Sequence, residues 1–159
     1  MRVRNVMKKD VKFCPPEATL ADVAKVMAKN DCGVVPIVDA QKRVVGMVTD
    51  RDVCLEVGTK DRLPSRVSVR EIMKRRVYGC GPDEEIQAAL EQMRNRKVRR
   101  LPVLDENGRL CGILSLDDVV LRVEQTFGPE RPELSDMEMV ETFKAITRKP
   151  VRRQRIIEA

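Results

Sequence analysis

Two short stretches set a hydroxyl three residues ahead of a carboxylate. Thr49 precedes Asp52, and Ser115 precedes Asp118. Each pair follows an apolar run, residues 45–48 or 111–114, and leads into a helical run. This is the spacing of a capping box: the hydroxyl accepts the third backbone N–H of the helix, and the carboxylate reaches back. A helix start is also an anion site, because its free N–H groups and dipole favour negative charge. There a hydroxyl can bond a phosphate, and a carboxylate one turn on can accept two vicinal ribose hydroxyls. Capping suffices to explain either pair alone. The occurrence of both at equivalent places favours a ligand.

The two copies are unequal. Arg51 stands beside the first pair, and Asp117 takes its place in the second. The second copy brings Lys97, Arg99 and Arg100 where the first has Asp31, Gly33 and Val34. Planar guanidinium groups suit phosphate. Arg99 and Arg100, directly before an apolar strand, are therefore expected at a phosphate, and Arg94 and Arg96 on a solvated helix end. Two sites of different affinity are expected.

Adding 66 to a residue number maps one copy onto the other over residues 3–57 without a gap. Met7/Met73, Pro16/Pro82, Met27/Met93, Pro36/Pro102, Asp39/Asp105, Gly46/Gly112, Asp52/Asp118 and Leu55/Leu121 are identical. Two such copies are expected to pack on each other and share a core. In the first, residues 11–14 read as a strand stopped by Pro15-Pro16. Thr19 caps a helix with Leu20, Val23, Ala24 and Met27 on one face. Residues 34–38 and 44–48 form a hairpin. A final helix covers residues 50–57 and stops near Gly58. The second copy repeats the order over residues 77–80, 86–95, 100–104, 110–114 and 116–125, with Asn107-Gly108 in the hairpin turn. The expected unit is an α/β (α+β) layered fold of two pseudo-twofold-related β-α-β-β-α repeats.

The whole pattern resembles a tandem pair of CBS domains, a stand-alone Bateman module. The resemblance rests on the opening V/I-M, the proline-led helix start, the h-x-h-P strand and the G-h-h-T/S-x-x-D end. It covers roughly residues 3–125. It implies repeats at 1–58 and 69–127; the residues themselves read as a charged linker at 59–68 and a C-terminal helix with a basic tail at 128–159. It also implies a regulatory cleft between the repeats that takes AMP, ADP, ATP or S-adenosylmethionine. Carried over, Asp52 and Asp118 hold ribose, while Thr49 and Ser115 touch phosphate. Val35, Pro36, Leu101 and Pro102, with Phe13, Cys14, Tyr78 and Gly79, border adenine. The family often pairs such modules. A homodimer is therefore expected through outer helix residues such as Val53, Leu55, Val119, Val120 and Val123.

Composition narrows the alternatives. The chain has 159 residues, 42% of them hydrophobic and 35% charged, with a net charge of +6 and no histidine. No apolar run is long enough to span a membrane, and residues 1–10 lack a secretory signal, so the expected setting is cytoplasmic. The five cysteines are at least 18 residues apart, which argues against a metal site. Cys14 and Cys80 are symmetry mates and read as packing positions rather than a redox pair. No nucleophile–base set is evident, so catalysis is not expected. Positive charge gathers at residues 60–76, 94–100 and 148–155. That would suit nucleic acid as an alternative partner, but scarce aromatics and the lack of a reader motif speak against it. After a break at residues 128–132, Ser135 and Glu138 form a third capping-box pattern, followed by a solvated tail. The output is expected to run through an unidentified protein target, the tail or the assembly state.

Overall fold

Thr19 starts the first helix in the computed structural model, which describes residues 1–124 and 136–147. Its hydroxyl accepts the Asp22 N–H at 3.2 Å, and the Asp22 carboxylate accepts the Thr19 N–H at 3.1 Å. Helix α1 (Leu20–Asn30) buries Leu20, Val23 and Met27 and ends at Asp31 in the left-handed region, φ 47°. Strands β1 (Val34–Val38) and β2 (Val44–Thr49) form an antiparallel hairpin with Val34 opposite Thr49. Helix α2 (Asp50–Lys60) then runs past Gly58 and ends at Asp61, which takes the left-handed conformation at φ 49°. After one turn of helix, α3 (Val69–Ile72), the plan recurs. It comprises α4 (Ile86–Arg96), β3 (Arg100–Leu104), β4 (Leu110–Ser115) and α5 (Leu116–Glu124). Both hairpins slip register at the same place, between Ile37 and Val38 and between Val103 and Leu104. A last helix, α6 (Asp136–Thr147), follows. The mixed α+β class is as expected.

Two expectations are corrected. Residues 11–14 and 77–80 are not strands. Each makes one parallel bridge, Cys14 to Ile37 and Cys80 to Val103. The Cys14 and Cys80 N–H groups donate to Pro36 and Pro102 carbonyls, both at 3.1 Å. Pairing ends there in both repeats because the next N–H of each ladder would belong to Pro16 or Pro82, which have none to offer.

The repeats do not share one core; they build two separate ones. The opening segment of each repeat packs into the other one. Val3 is fully buried among Ile86, Leu90, Leu101 and Leu114, with Met1, Val6 and Met7 beside it. Val67 and Val69 lie among Leu20, Val23, Ile37 and Val48, with Ile72 and Met73 beside them. The backbone follows suit. Lys8 pairs with Ile113 of β4 through two 2.9 Å bonds, and Lys74 pairs with Met47 of β2 at 3.0 and 3.2 Å. The stretch read as a charged linker is thus partly core: Val67 is buried and its carbonyl accepts the Leu20 N–H at 3.0 Å. Arg62 ties it down, bonding Glu56 at 3.0 Å and Glu71 at 2.8 Å.

Where the halves meet, two glycines let the opening segments approach closely. A Cβ on Gly112 would lie 2.7 Å from the Lys8 carbonyl oxygen, and one on Gly46 would lie 2.7 Å from the Met73 sulfur. The hairpin turns also join: Val44 N–H donates to the Gly108 carbonyl and Leu110 N–H to the Lys42 carbonyl. Helix α6 packs on α4. Met139 and Ile146 touch the second core, and Glu141 pairs with Arg94 at 3.5 Å. The expectations for Gln125, the break at 128–132, the cap at Ser135 and the basic run 148–155 fall outside the described residues. Among the described residues no helix is long and apolar enough to cross a membrane.

Candidate functional site

The first capping box forms in full as the spacing predicts, and in the second the Ser115 hydroxyl makes both of its bonds to Asp118. Thr49 Oγ1 accepts the Asp52 N–H at 3.2 Å and donates to Asp52 Oδ2 at 2.6 Å, which also accepts the Thr49 N–H at 3.0 Å. Ser115 Oγ accepts the Asp118 N–H at 3.1 Å and donates to Asp118 Oδ2. The remaining carboxylate oxygens are also engaged. Lys74 Nζ lies 3.1 Å from Asp52 Oδ1, and Lys8 Nζ lies 3.1 Å from Asp118 Oδ1. Each lysine reaches its partner because the exchanged opening segment runs alongside the strand that precedes the aspartate. Burial pushes the Asp52 pKa up. The Thr49 hydroxyl, the Thr49 N–H and Lys74 outweigh it, so the carboxyl is held below its ordinary range.

Space remains at both junctions. One cavity of about 450 Å³ is lined by Ser115 and Asp118 at the start of α5, Lys8, Asp10, Lys12, Asp31, Gly33, Val34, Arg100, Ile113 and Asp117. A second of about 470 Å³ is lined by Thr49, Asp50 and Arg51 at the start of α2. Lys74, Arg76, Tyr78, Lys97, Arg99, Arg100, Met47, Pro102 and Ile146 of α6 also line it. The offset of 66 carries most of one lining onto the other, so the cavities are pseudo-twofold mates. Each falls in the size range of a small-molecule pocket.

The expected site residues distribute unevenly over these cavities. Thr49, Arg51, Tyr78, Arg99, Arg100 and Pro102 line the larger one; Ser115, Asp118 and Arg100 line the smaller. Asp52 sits behind Lys74 and does not line the larger cavity. Val35, Leu101 and Cys14 belong to the hydrophobic cores, and Pro36 is buried outside either lining. The reason is the two-residue period of a strand. Val35 and Leu101 turn inward, leaving Val34, Arg100 and Pro102 on the cleft side. Phe13 is exposed away from the cavities, and Gly79 lines a separate groove with Leu104 and Asn107. Burial drives the Cys80 thiol up to about 12, with Glu84 adding to it, and raises Cys14 in the same way. Both therefore stay protonated packing groups at neutral pH.

Arg94 and Arg96 are not simply solvated. Arg94 pairs with Glu141, and Arg96 lies 4.5 Å above the Tyr78 ring, steadying the tyrosine that lines the larger cavity. On the outer helices Val119 is fully buried and Val53 packs on the first core. Leu55, Val120 and Leu121 are the exposed apolar residues there. The Val123 side chain lies outside the described residues. Sequence reasoning missed Lys8, Lys74, Asp10, Arg76, Asp31 and Lys97 as cavity residues. The identity of Lys8 and Lys74 under the offset of 66 was the available signal.

Residues 3–58 and 69–124 each match the family described as CBS domain. An uncharacterized protein of Methanopyrus kandleri is 34% identical over 122 residues, 77% of this chain and 62% of that protein. The chain thus spans less than two thirds of that relative. Among solved structures, a CBS domain protein of unknown function from Thermoplasma acidophilum, TA0289, aligns with a TM-score of 0.74. It is 21% identical over 91% of this chain and 75% of that one. The CBS domain pair of protein MJ0100, solved in complex with 5'-methylthioadenosine and S-adenosyl-L-methionine, aligns with a TM-score of 0.71. It is 22% identical over 79% of this chain and 97% of that one. At these identities the likeness speaks to the fold alone.

Proposed function

The chain belongs to the CBS-domain family, and from that premise we propose that it is a regulatory module, not a catalyst, that binds an adenine nucleotide between its repeats. The observation that carries the reading is the pair of symmetry-related cavities at the starts of α2 and α5. Each places a helix start, a hydroxyl and basic groups around one space, which suits a phosphorylated ligand. Ribose recognition requires an exchange. Asp52 and Asp118 each hold a lysine, so an incoming nucleotide draws Lys74 or Lys8 to its phosphate and frees a carboxylate oxygen for sugar hydroxyls. A cross-repeat ion pair then changes partner on binding, and the ligand thereby favours one arrangement of the halves.

S-adenosylmethionine is the second reading, favoured by the ligands of the MJ0100 pair and by the aspartates of the smaller cavity. The test is a thermal-shift series with AMP, ADP, ATP and S-adenosylmethionine. A ligand at 100 times its dissociation constant adds about 2.7 kcal/mol. For a chain of this size that is a melting rise of about 5 to 10 °C. No shift with any of the four sinks the proposal.

The exposed Leu55, Val120 and Leu121 on the outer helices support a homodimer. Light scattering at micromolar concentration is expected to give twice the 18.1 kDa chain mass. A monomeric mass rules the dimer out.

A further inference from the structure

The two cavities are symmetry mates of opposite net charge: Lys8, Lys12 and Arg100 face four aspartates in the smaller, while six cations face one aspartate in the larger. Three cations of the larger cavity have an aspartate at the symmetry-equivalent place in the smaller: Arg51 against Asp117, Arg76 against Asp10, and Lys97 against Asp31. The backbone at these places is alike. Lys97 and Asp31 both end a helix in the left-handed region, at φ 54° and 47°. Arg51 and Asp117 both stand in the first turn of a helix. Lys74 and Lys8 occupy mated positions with mated aspartates, so their effects cancel in the comparison. The smaller cavity's Asp117 is 3.4 Å from Arg99 and 3.9 Å from Arg100, which draws part of the arginine charge to itself. Arg51, Arg76 and Lys97 have no ion pair among the described residues. Against them the larger cavity sets one lining carboxylate, Asp50.

We propose that the larger cavity takes a polyphosphate-bearing ligand and that its mate excludes one. This rests on the adenosyl reading above and adds which cavity binds and what it selects. The cations come from three chain segments, the start of α2, residues 74–76 and the end of α4. A chain of phosphates meets more of them than a single phosphate does. Like-signed walls around a cleft focus the potential on whatever enters, and an opposite-signed mate repels the same group. The chain therefore holds one di- or triphosphate site, not two.

Titration calorimetry with ATP, ADP, AMP and adenosine tests this. One ATP per chain is expected, bound at least about tenfold more tightly than AMP, as for one additional charge-assisted hydrogen bond. The affinity should fall steeply with salt. The triple variant Arg51→Asp, Arg76→Asp, Lys97→Asp gives the larger cavity the charges that its mate carries at those places. It is expected to lose ATP binding by at least about tenfold while adenosine changes by less than about twofold. The reverse variant Asp10→Arg, Asp31→Lys, Asp117→Arg is expected to gain a second ATP. It keeps the proposal open to test should the first variant fold poorly. Equal affinity for ATP and AMP, or two equivalent ATP sites in the natural chain, overturns the proposal. Inorganic triphosphate binding as tightly as ATP would uphold the charge assignment and overturn the adenosyl reading. Failure of every probe overturns both.

Discussion

Asp52 caps its own helix and holds Lys74 of the other repeat. Its carboxyl is held below the ordinary range, since hydrogen bonds from Thr49 and the Lys74 pairing outweigh burial. A carboxylate held low in the folded state stabilises above its unfolded pKa of about 3.9. That contribution disappears as pH falls through the folded value. Asp52→Asn is therefore expected to be less stable than the natural chain at pH 7. The difference should close only below about pH 4. Urea midpoints at pH 7, 4 and 3 check this. A difference that stays constant with pH would show that the charge of Asp52 is not what matters. The T-x-x-D spacing made the cap legible in the sequence. Lys74 was not legible, because nothing local says that residue 74 lies beside residue 52.

At the scale of elements, two glycines decide how closely each opening segment approaches the opposite hairpin. They are symmetry mates but should not respond alike. A Cβ at Gly112 meets the Lys8 backbone oxygen, which is fixed by its own ladder bonds to Ile113. A Cβ at Gly46 meets the Met73 sulfur at 2.7 Å, which can turn aside, and the Met73 Cβ at 3.1 Å, which need give only a few tenths of an ångström. Gly112→Ala is expected to cost about 1–3 kcal/mol, the range for overpacking. Gly46→Ala should cost clearly less. Urea unfolding with an unchanged slope measures both. Equal losses would mean that the approach is as rigid at Met73 as at Lys8. The helices, hairpins and caps in these elements were readable from periodicity and turn residues. The strands expected at residues 11–14 and 77–80 were not realised. A short run before a proline can be extended and held by a single bridge at its buried cysteine as well as in a ladder.

At the scale of the whole molecule, the exchanged openings make the two repeats one folding unit. Val3 completes the second core, and Val67 and Val69 complete the first. Residues 1–66 alone leave Val23, Ile37 and Val48 without these partners. That fragment is expected not to fold, as seen by poor dispersion in a two-dimensional amide spectrum, while residues 1–147 unfold in a single transition. A well-dispersed spectrum from residues 1–66 would show that the first repeat stands by itself. The same exchange couples the ligand site to the halves. Lys8 and Lys74 are carried on the swapped segments, so what enters a cavity acts on the contact between repeats.

The residues by themselves determined the repeat, the order of helices and hairpins, the helix caps and the position of the candidate cleft. These depend on local spacing and on one long self-alignment, both of which can be read along the chain. Tertiary structure alone decided which core each opening segment joins and which side of each strand faces the cleft. It also decided which charges gather in each cavity. Val35 and Leu101 were lost to the cores, while Arg76 and Lys97 were gained. Contact between residues far apart in the chain is set by packing, and packing leaves no mark at any one position of the sequence.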